Sequence, residues 1–157
     1  MVVVGANATL HWREHASSLL SKEFMQQIEA HLKPGGVYLF NTTGSDRAAK
    51  TALEVFPDCV LLLNNILASN ATLEYDKDRW RKTLGAYNYH GVPLFDTSTE
   101  QGRSDIEDII SMLDTVGDTE VEAARRIWTR EVLLNHPGTK RARAITDDNL
   151  GHEYWYH

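Results

Sequence analysis

The chain lacks the features of a disulfide framework, a membrane span or a basic binding face. Its 157 residues include one cysteine, Cys59, which lies in an apolar run and is predicted to be a small core side chain. The apolar start, residues 1–4, is too short for a secretory signal or a transmembrane helix. A net charge of −6 gives no electrostatic reason to bind nucleic acid. These absences predict a soluble, cytoplasmic protein with no nucleic-acid partner.

Motifs for cofactors and nucleophiles are also missing. The ten glycines form neither Gly-x-Gly-x-x-Gly nor Gly-x-x-x-x-Gly-Lys-[Ser/Thr], the loops that cradle phosphates. No Gly-x-Ser-x-Gly segment marks a serine nucleophile. His11 and His15 are four residues apart, but no third ligand follows at a spacing typical of metal sites. We therefore expect this chain to bind neither a cofactor nor a metal by itself.

A helix-to-strand junction organises the first half of the sequence. Pro34 ends a helix, Gly35 and Gly36 reverse the backbone, and the apolar run Val37–Phe40 is typical of a strand buried on both faces. Ser21 is a suitable N-cap for the helix that runs to Leu32. A short β-branched strand over residues 1–4 precedes it. This order of strand, helix and strand predicts an α/β fold.

The second part of the sheet is predicted to be a hairpin. A helix capped by Ser45 ends at Pro57, and two apolar runs follow it. The runs are Cys59–Leu63 and Ile66–Ser69, and Asn64-Asn65 is the predicted turn between them. A hairpin at the far edge makes a parallel sheet into a mixed one.

The remainder of the chain is predicted to be mostly helical. Asp76 caps a short helix, residues 85–102 resemble a loop, and Ser104–Glu107 is a capping box that opens the clearest helical pattern. A second capping box, Thr119–Glu122, opens a helix through about Leu134, which Pro137 and Gly138 end. We predict one domain over residues 1–157, with the sheet in 1–75 and a helical extension in 76–157.

Two loops at the carboxyl ends of predicted strands are candidate sites. Gly5–Thr9 and Asn41–Ser45 consist of small hydrogen-bonding residues, and ligands of open α/β sheets gather at such ends. The same residue types also favour ordinary turns. Asp147 and Asp148 likewise suit either a cationic substrate or a turn.

Several of these segments resemble the spermidine synthase-like group, and in particular proteins in which such a domain follows a membrane-spanning region. The matching segments are Val2–Val4, Asn7–Arg13, Ser21–Phe24, His31–Tyr38, Asn41–Ser45 and Ile145–Asn149. The resemblance implies an S-adenosylmethionine-dependent methyltransferase fold. It covers only the later part of that domain, so the expected fold is a partial Rossmann-like sheet from the fourth strand onward, with a C-terminal edge hairpin and flanking helices. The Gly-rich loop and the acidic ribose contact would lie upstream, and we expect the chain to be the C-terminal portion of such a domain.

The resemblance also implies a chemistry and a set of site residues. The family transfers an aminopropyl group to an amine, using S-adenosylmethionine in its decarboxylated form, and methyltransferases of the same fold use S-adenosylmethionine itself. Its Asp-x-x-Asp pattern after the fourth strand is replaced here by Gly5–Thr9, which has no carboxylate, and asparagine cannot serve as a base. Candidate catalytic residues are therefore limited. They are Asn7, His11, Asp147 and Asp148, with Thr42, Thr43 and Asn149 as candidate substrate contacts.

Partners follow from the same expectation. An open sheet edge at residues 1–4 predicts a homo-oligomer. The resemblance implies an upstream nucleotide-binding half and a membrane domain in the parent protein, tethered to the inner membrane. Two alternatives to an inactive portion of a spermidine synthase-like domain remain: a non-catalytic, self-associating interaction module, and part of a small-molecule methyltransferase.

Overall fold

The computed structural model describes residues 3–6, 17–42, 44–111 and 127–150. Contacts within the chain divide it into two compact units. The first unit combines residues 1–73 with residues 128–157, and the second is residues 74–127. Residues 128–150 thus return to the unit that contains the main sheet.

The described residues form short strands and helices. The strands are β1 (Val3–Ala6), β2 (Val37–Asn41), β3 (Asp58–Leu62), β4 (Asn65–Ser69), β5 (Asn88–Tyr89), β6 (Val92–Pro93) and β7 (Ile127–Trp128). The helices are α1 (Lys22–His31), α2 (Asp46–Val55), α3 (Lys77–Ala86), α4 (Glu100–Ser111), α5 (Arg130–Asn135) and α6 (Pro137–Arg141), with 3-10 turns at Ser17–Leu20 and Asp147–Asn149. No helix of the described ranges is long and apolar enough to cross a membrane.

The main sheet is mixed and has the strand order β1-β2-β4-β3-β7. β1 runs parallel to β2, with Val3 opposite Val37. β4 is antiparallel to both β2 and β3. The α/β class, the pairing of the first two strands and the hairpin are therefore confirmed, although β7 lies beyond β3 on the hairpin side.

The junction between α1 and β2 forms as the sequence predicts. Gly35 has φ +69°, which is costly for any residue with a side chain, and the Gly36 N–H donates to the Lys33 carbonyl at 2.7 Å. Asn70 holds the turn from the other side: its Oδ1 accepts from the Gly35 N–H at 3.1 Å and its Nδ2 donates to the Leu32 carbonyl at 3.2 Å. These bonds fix the point at which the chain enters β2.

Aromatic side chains fill the core between the sheet and its helices. The ring of Tyr38 stacks on that of Phe40, with centroids 5.0 Å apart, and also contacts Phe56. Burial raises the pKa of Tyr38 to about 12, and its hydroxyl donates to the Leu19 carbonyl at 3.2 Å. Cys59 is fully buried, as predicted, and burial raises the pKa of its thiol to about 11.

The hairpin turn lies one residue earlier than predicted. Leu63 and Asn64 form it, and Asn65 already belongs to β4, so the predicted Asn64-Asn65 turn is wrong. The Asn64 carbonyl accepts from both the Thr42 N–H (2.7 Å) and the Thr42 hydroxyl (3.1 Å). This long-range contact holds Asn64 in the turn, in which Leu63 has φ +56°.

The second unit pairs α3 with α4 and carries the short β5–β6 hairpin. Asp76 caps α3 as predicted, accepting from the Arg79 N–H at 2.9 Å. The predicted start of the next helix at Ser104–Glu107 is wrong, because α4 already begins at Glu100. The Thr99 hydroxyl accepts from the Gly102 N–H at 3.1 Å and so provides the N-terminal cap. The predicted loop over residues 85–102 therefore contains two strands and the first turn of α4.

The predicted helix from Thr119 through Leu134 is wrong over its later part. Residues 127–128 are extended, and the Thr129 hydroxyl accepts from the Val132 N–H at 3.4 Å, so a new helix starts at Arg130. Pro137 does not only end a helix, because it is also the first residue of α6. The capping box Thr119–Glu122 lies outside the described residues.

Replacing Leu63 by glycine is expected to stabilise the protein. Leu63 is 56% exposed, and its positive φ costs roughly 1–2 kcal/mol in a residue that has a Cβ. After subtracting the greater freedom of glycine in the unfolded chain, Leu63→Gly should raise the free energy of unfolding by up to about 1 kcal/mol. The measurement is urea denaturation followed by circular dichroism.

Leu134→Gly is the matched control for this prediction. Leu134 is 42% exposed but lies within α5, where glycine should lower the stability by about 1 kcal/mol. If both substitutions lowered the free energy of unfolding equally, the positive φ of Leu63 would not cost the folded protein stability.

Candidate functional site

The carboxyl ends of β1 and β2 meet at the same edge of the sheet because these strands are parallel. The N-terminus of α2 follows β2 at this edge, which we call the carboxyl edge. The description of the predicted loop after β1 stops at Ala6, so residues 7–9 of this loop lie outside the described residues. The candidates Asn7 and His11 lie outside them as well. Thr43 also lies outside them.

Thr42 holds the loop after β2 in place. Its side chain is 3% exposed, donates to the Asn64 carbonyl and accepts from the Gly44 N–H at 3.2 Å. The Ser45 N–H donates to the Thr42 carbonyl at 2.9 Å, and the Ser45 hydroxyl caps α2. This candidate substrate contact therefore has a structural role in the described chain.

The C-terminal segment 143–149 returns to the same edge. Ile145 is fully buried, its N–H donates to the Thr51 hydroxyl at 2.8 Å, and its carbonyl accepts from the Lys22 N–H at 2.8 Å. The Arg47 guanidinium donates to Asn149 Oδ1 at 2.7 Å and to the Arg143 carbonyl at 3.1 Å. The segment thus lies against the first turns of α1 and α2.

The predicted site residues of this segment have different environments. The Asn149 side chain accepts from the Thr146 N–H at 3.0 Å and donates to the Ala144 carbonyl at 3.1 Å, which closes the 3-10 turn. Asp147 and Asp148 are exposed, and the Asp147 N–H donates to Glu23 Oε2 at 3.0 Å. The structure therefore brings the two aspartates to the carboxyl edge, together with Thr42 and Asn149.

A small cavity of about 70 Å³ opens beside the loop after β2. Asp46 lies on its wall, with Oδ1 3.4 Å from Nδ1 of His136 and 3.5 Å from the Thr139 hydroxyl. The rings of His136 and Trp128 meet edge to face, with centroids 5.1 Å apart. Sequence reasoning missed these side chains, because ninety residues separate Asp46 from His136 and neither belongs to a recognisable motif.

No group of three potential metal ligands occurs in the part of the chain that the structure describes. His11 and His15 lie outside that part.

No protein family model, curated protein or solved structure matches the chain.

Replacing Thr51 by valine tests how the C-terminal segment is held. The substitution preserves side-chain shape but leaves the buried Ile145 N–H without its acceptor, which costs roughly 1–3 kcal/mol. We expect Thr51→Val to lower the free energy of unfolding by about that amount. It should also accelerate hydrogen exchange at the Ile145 amide, measured by NMR.

Thr83→Val is the matched control. The Thr51 hydroxyl donates to the Arg47 carbonyl, four residues earlier in its helix, at 2.7 Å. The Thr83 hydroxyl makes the same kind of bond to the Arg79 carbonyl at 2.8 Å, but Thr83 is exposed. Its loss should change stability by less than about 0.5 kcal/mol. If both substitutions had the same effect, the bond from Ile145 to Thr51 would not hold the segment.

Proposed function

We propose that this chain is the C-terminal part of a spermidine synthase-like domain with a methyltransferase fold. The observation that carries the proposal is the position of two distant segments that resemble the family. Residues 31–45 form the junction, β2 and the loop after it. Ile145–Asn149, a hundred residues later in the chain, packs against α2, the helix that follows this loop. A shared ligand-facing edge accounts for their proximity.

The sheet supports the same proposal. β1, α1 and β2 form a parallel unit with its loops at the carboxyl edge, where open α/β sheets bind ligands. The hairpin adds antiparallel β4 beside β2. This is a mixed sheet of the kind proposed for the later half of the domain.

Neither the sequence motifs nor the cavity formed by described residues fits an S-adenosyl nucleotide. No Gly-rich phosphate or nucleotide loop occurs in the sequence. The cavity at the carboxyl edge has about 70 Å³, whereas small-molecule sites usually have roughly 300–1,000 Å³. The nucleotide-binding residues of the proposed domain therefore belong to an upstream segment, and this chain provides the substrate side.

Aminopropyl transfer requires a carboxylate that holds the cationic amine and accepts its proton. Gly5–Thr9 has none, whereas Asp147 and Asp148 are exposed at the carboxyl edge. We assign the amine contact to Asp147. Without the nucleotide-binding residues, the chain itself is proposed to be inactive.

Calorimetry tests this proposal directly. The chain should show no binding of S-adenosylmethionine, decarboxylated S-adenosylmethionine or methylthioadenosine. A longer protein that includes the preceding reading frame should bind one of them with micromolar affinity, and Asp147→Asn in that protein should raise the KM for the amine. Micromolar binding by the present chain would refute the proposal, and so would a longer protein that binds none of the three.

A second function is favoured by the position of β1. Within the described residues β1 pairs with β2 only and is the first strand of the sheet, so its other side presents backbone groups to a further strand. We propose that this edge mediates self-association of the chain. In a longer protein an upstream strand would occupy the same edge.

Proline substitutions at Val3 and Val4 test the edge. Successive N–H groups of a strand point to opposite sides, so one of the two faces β2 and the other faces the open edge. We expect a dimer at micromolar concentration in sedimentation experiments. Proline at the outward N–H should dissociate this dimer with little loss of stability, whereas proline at the inward N–H should destabilise the fold. A stable monomer of the unmodified chain would contradict self-association.

A further inference from the structure

We propose that the β5–β6 hairpin binds the same hairpin of a second copy of this chain through one apolar face. The hairpin belongs to the second unit. None of its residues belongs to the carboxyl edge or to β1, so the contact is independent of both proposed functions. Four side chains form the surface, which we call the hairpin face: Tyr87, Tyr89, Val92 and Leu94.

The strand register places these four side chains on one side of the hairpin. Tyr89 is opposite Val92 in the ladder, and the Leu94 N–H donates to the Tyr87 carbonyl at 3.0 Å. Residues directly opposite each other, and residues two apart in one strand, point to the same side of a sheet. The two tyrosines and the two aliphatic side chains therefore share one face.

The turn between the strands keeps this register. His90 and Gly91 have φ +52° and +82°. Positive φ at both central residues is typical of the two-residue type I′ turn, whose twist matches that of the strands. Since a slip by one residue would move every side chain of a strand to its other face, the turn also determines which side chains form the hairpin face.

The hairpin face is exposed and uncharged. Its four side chains expose between 54% and 70% of their surface. Between Lys82 and Asp96 the sequence contains no lysine, arginine, aspartate or glutamate. Uncharged runs of similar length at 34–45 and 59–73 provide most of the three central strands of the main sheet. Because a two-stranded hairpin is marginally stable in water unless another layer covers it, the exposed face fits a partner that supplies this layer.

The charge of the protein is compatible with a second copy at this face. A net charge of −6 makes two copies repel each other, and an uncharged face lets them meet without bringing like charges together. The face also offers no charged group to an acidic or a basic partner. Higher ionic strength screens the repulsion and should strengthen the association, whereas it would weaken a contact made by ion pairs.

The shape of the face is complementary to itself. Both tyrosines extend from the β5 arm and both aliphatic side chains from the β6 arm, so a row of large side chains lies beside a row of smaller ones. A two-fold axis parallel to the strands places the tyrosine row of one copy over the aliphatic row of the other. Large and small side chains then interdigitate, as they do between packed sheets.

The area of the face determines how strong the contact is. The four side chains expose roughly 450 Å² per copy, if a fully buried tyrosine accounts for about 150–250 Å². Two copies would bury roughly 900 Å², which is less than the roughly 1,200–2,000 Å² of stable complexes and in the range of weak ones. We therefore expect a weak dimer, with a dissociation constant of roughly 0.1–1 mM.

NMR and sedimentation at increasing protein concentration test the proposal. We expect saturable shifts at the amides of Tyr89 and Val92, with one set of signals because the contact is symmetric. Sedimentation should show the same concentration dependence. In a mixture of ¹³C-labelled and unlabelled protein, an isotope-filtered NOE should connect the Tyr89 ring of one copy to the Val92 methyl groups of the other.

Two lysine substitutions in the hairpin form a matched pair. Val92→Lys places a charge on the hairpin face and should weaken the association at least tenfold. Asn88 pairs with Pro93, so it lies on the opposite face, and it is exposed. Asn88→Lys should change the association less than twofold, although both variants add one positive charge to the net −6. Val92→Thr keeps the β-branched shape that suits a strand and should weaken the association about threefold.

The outcomes distinguish a second copy from other occupants of the face. The absence of any concentration-dependent shift at the hairpin face would overturn the proposal, and shifts caused only by neutral lipid vesicles would assign the face to a lipid surface instead. Equal weakening by Val92→Lys and Asn88→Lys, with the amide signals of α3 and α4 unchanged, would also overturn it. Association through the β1 edge should respond to proline at Val3 or Val4 but not to Val92→Lys, so failure of one contact is distinguishable from failure of the other.

Discussion

Helix α2 is the element on which the first unit depends, because both of its ends are bonded to residues that are distant in sequence. At its C-terminus the Arg130 guanidinium donates to the carbonyls of Leu53 and Phe56, each at 2.9 Å, and so satisfies groups that a helix end leaves without partners. At its N-terminus Arg47 and Asp46 contact the C-terminal residues. The alanines on its buried face, Ala48, Ala49 and Ala52, let the helix lie close to the sheet.

Local chemistry made several features predictable from the sequence. The predicted caps at Ser21, Ser45 and Asp76 are confirmed. In each, a side-chain oxygen accepts a hydrogen bond from the backbone N–H three residues later. The Pro-Gly-Gly junction is equally local. Such signals operate within one turn of the chain, but two of them can compete: the capping box at Ser104–Glu107 was wrong because Thr99 caps α4 five residues earlier.

The other errors arose where a distant residue decides the local conformation. Thr42 binds the Asn64 carbonyl and so shifts the hairpin turn by one residue relative to its asparagine signal. Pairing of Ile127 and Trp128 as a strand interrupts a pattern that is helical by itself. The cavity was unpredictable for the same reason, since Asp46, Trp128 and His136 become neighbours only after α5 and α6 have packed on α2.

The carboxyl edge contains two kinds of polar residue: some are bonded within the protein and stabilise the fold, and others are exposed to solvent. Thr42 and Asn149 each donate and accept within the protein, so a substrate that bound them would exchange existing bonds and gain little. The carboxylates of Asp46, Asp147 and Asp148 differ, because each of these side chains reaches solvent. These exposed carboxylates are therefore the groups at this edge that a ligand reaches without replacing a bond of Thr42 or Asn149. That difference follows from the described residues alone, whether the chain acts in a larger transferase domain or as a self-associating module.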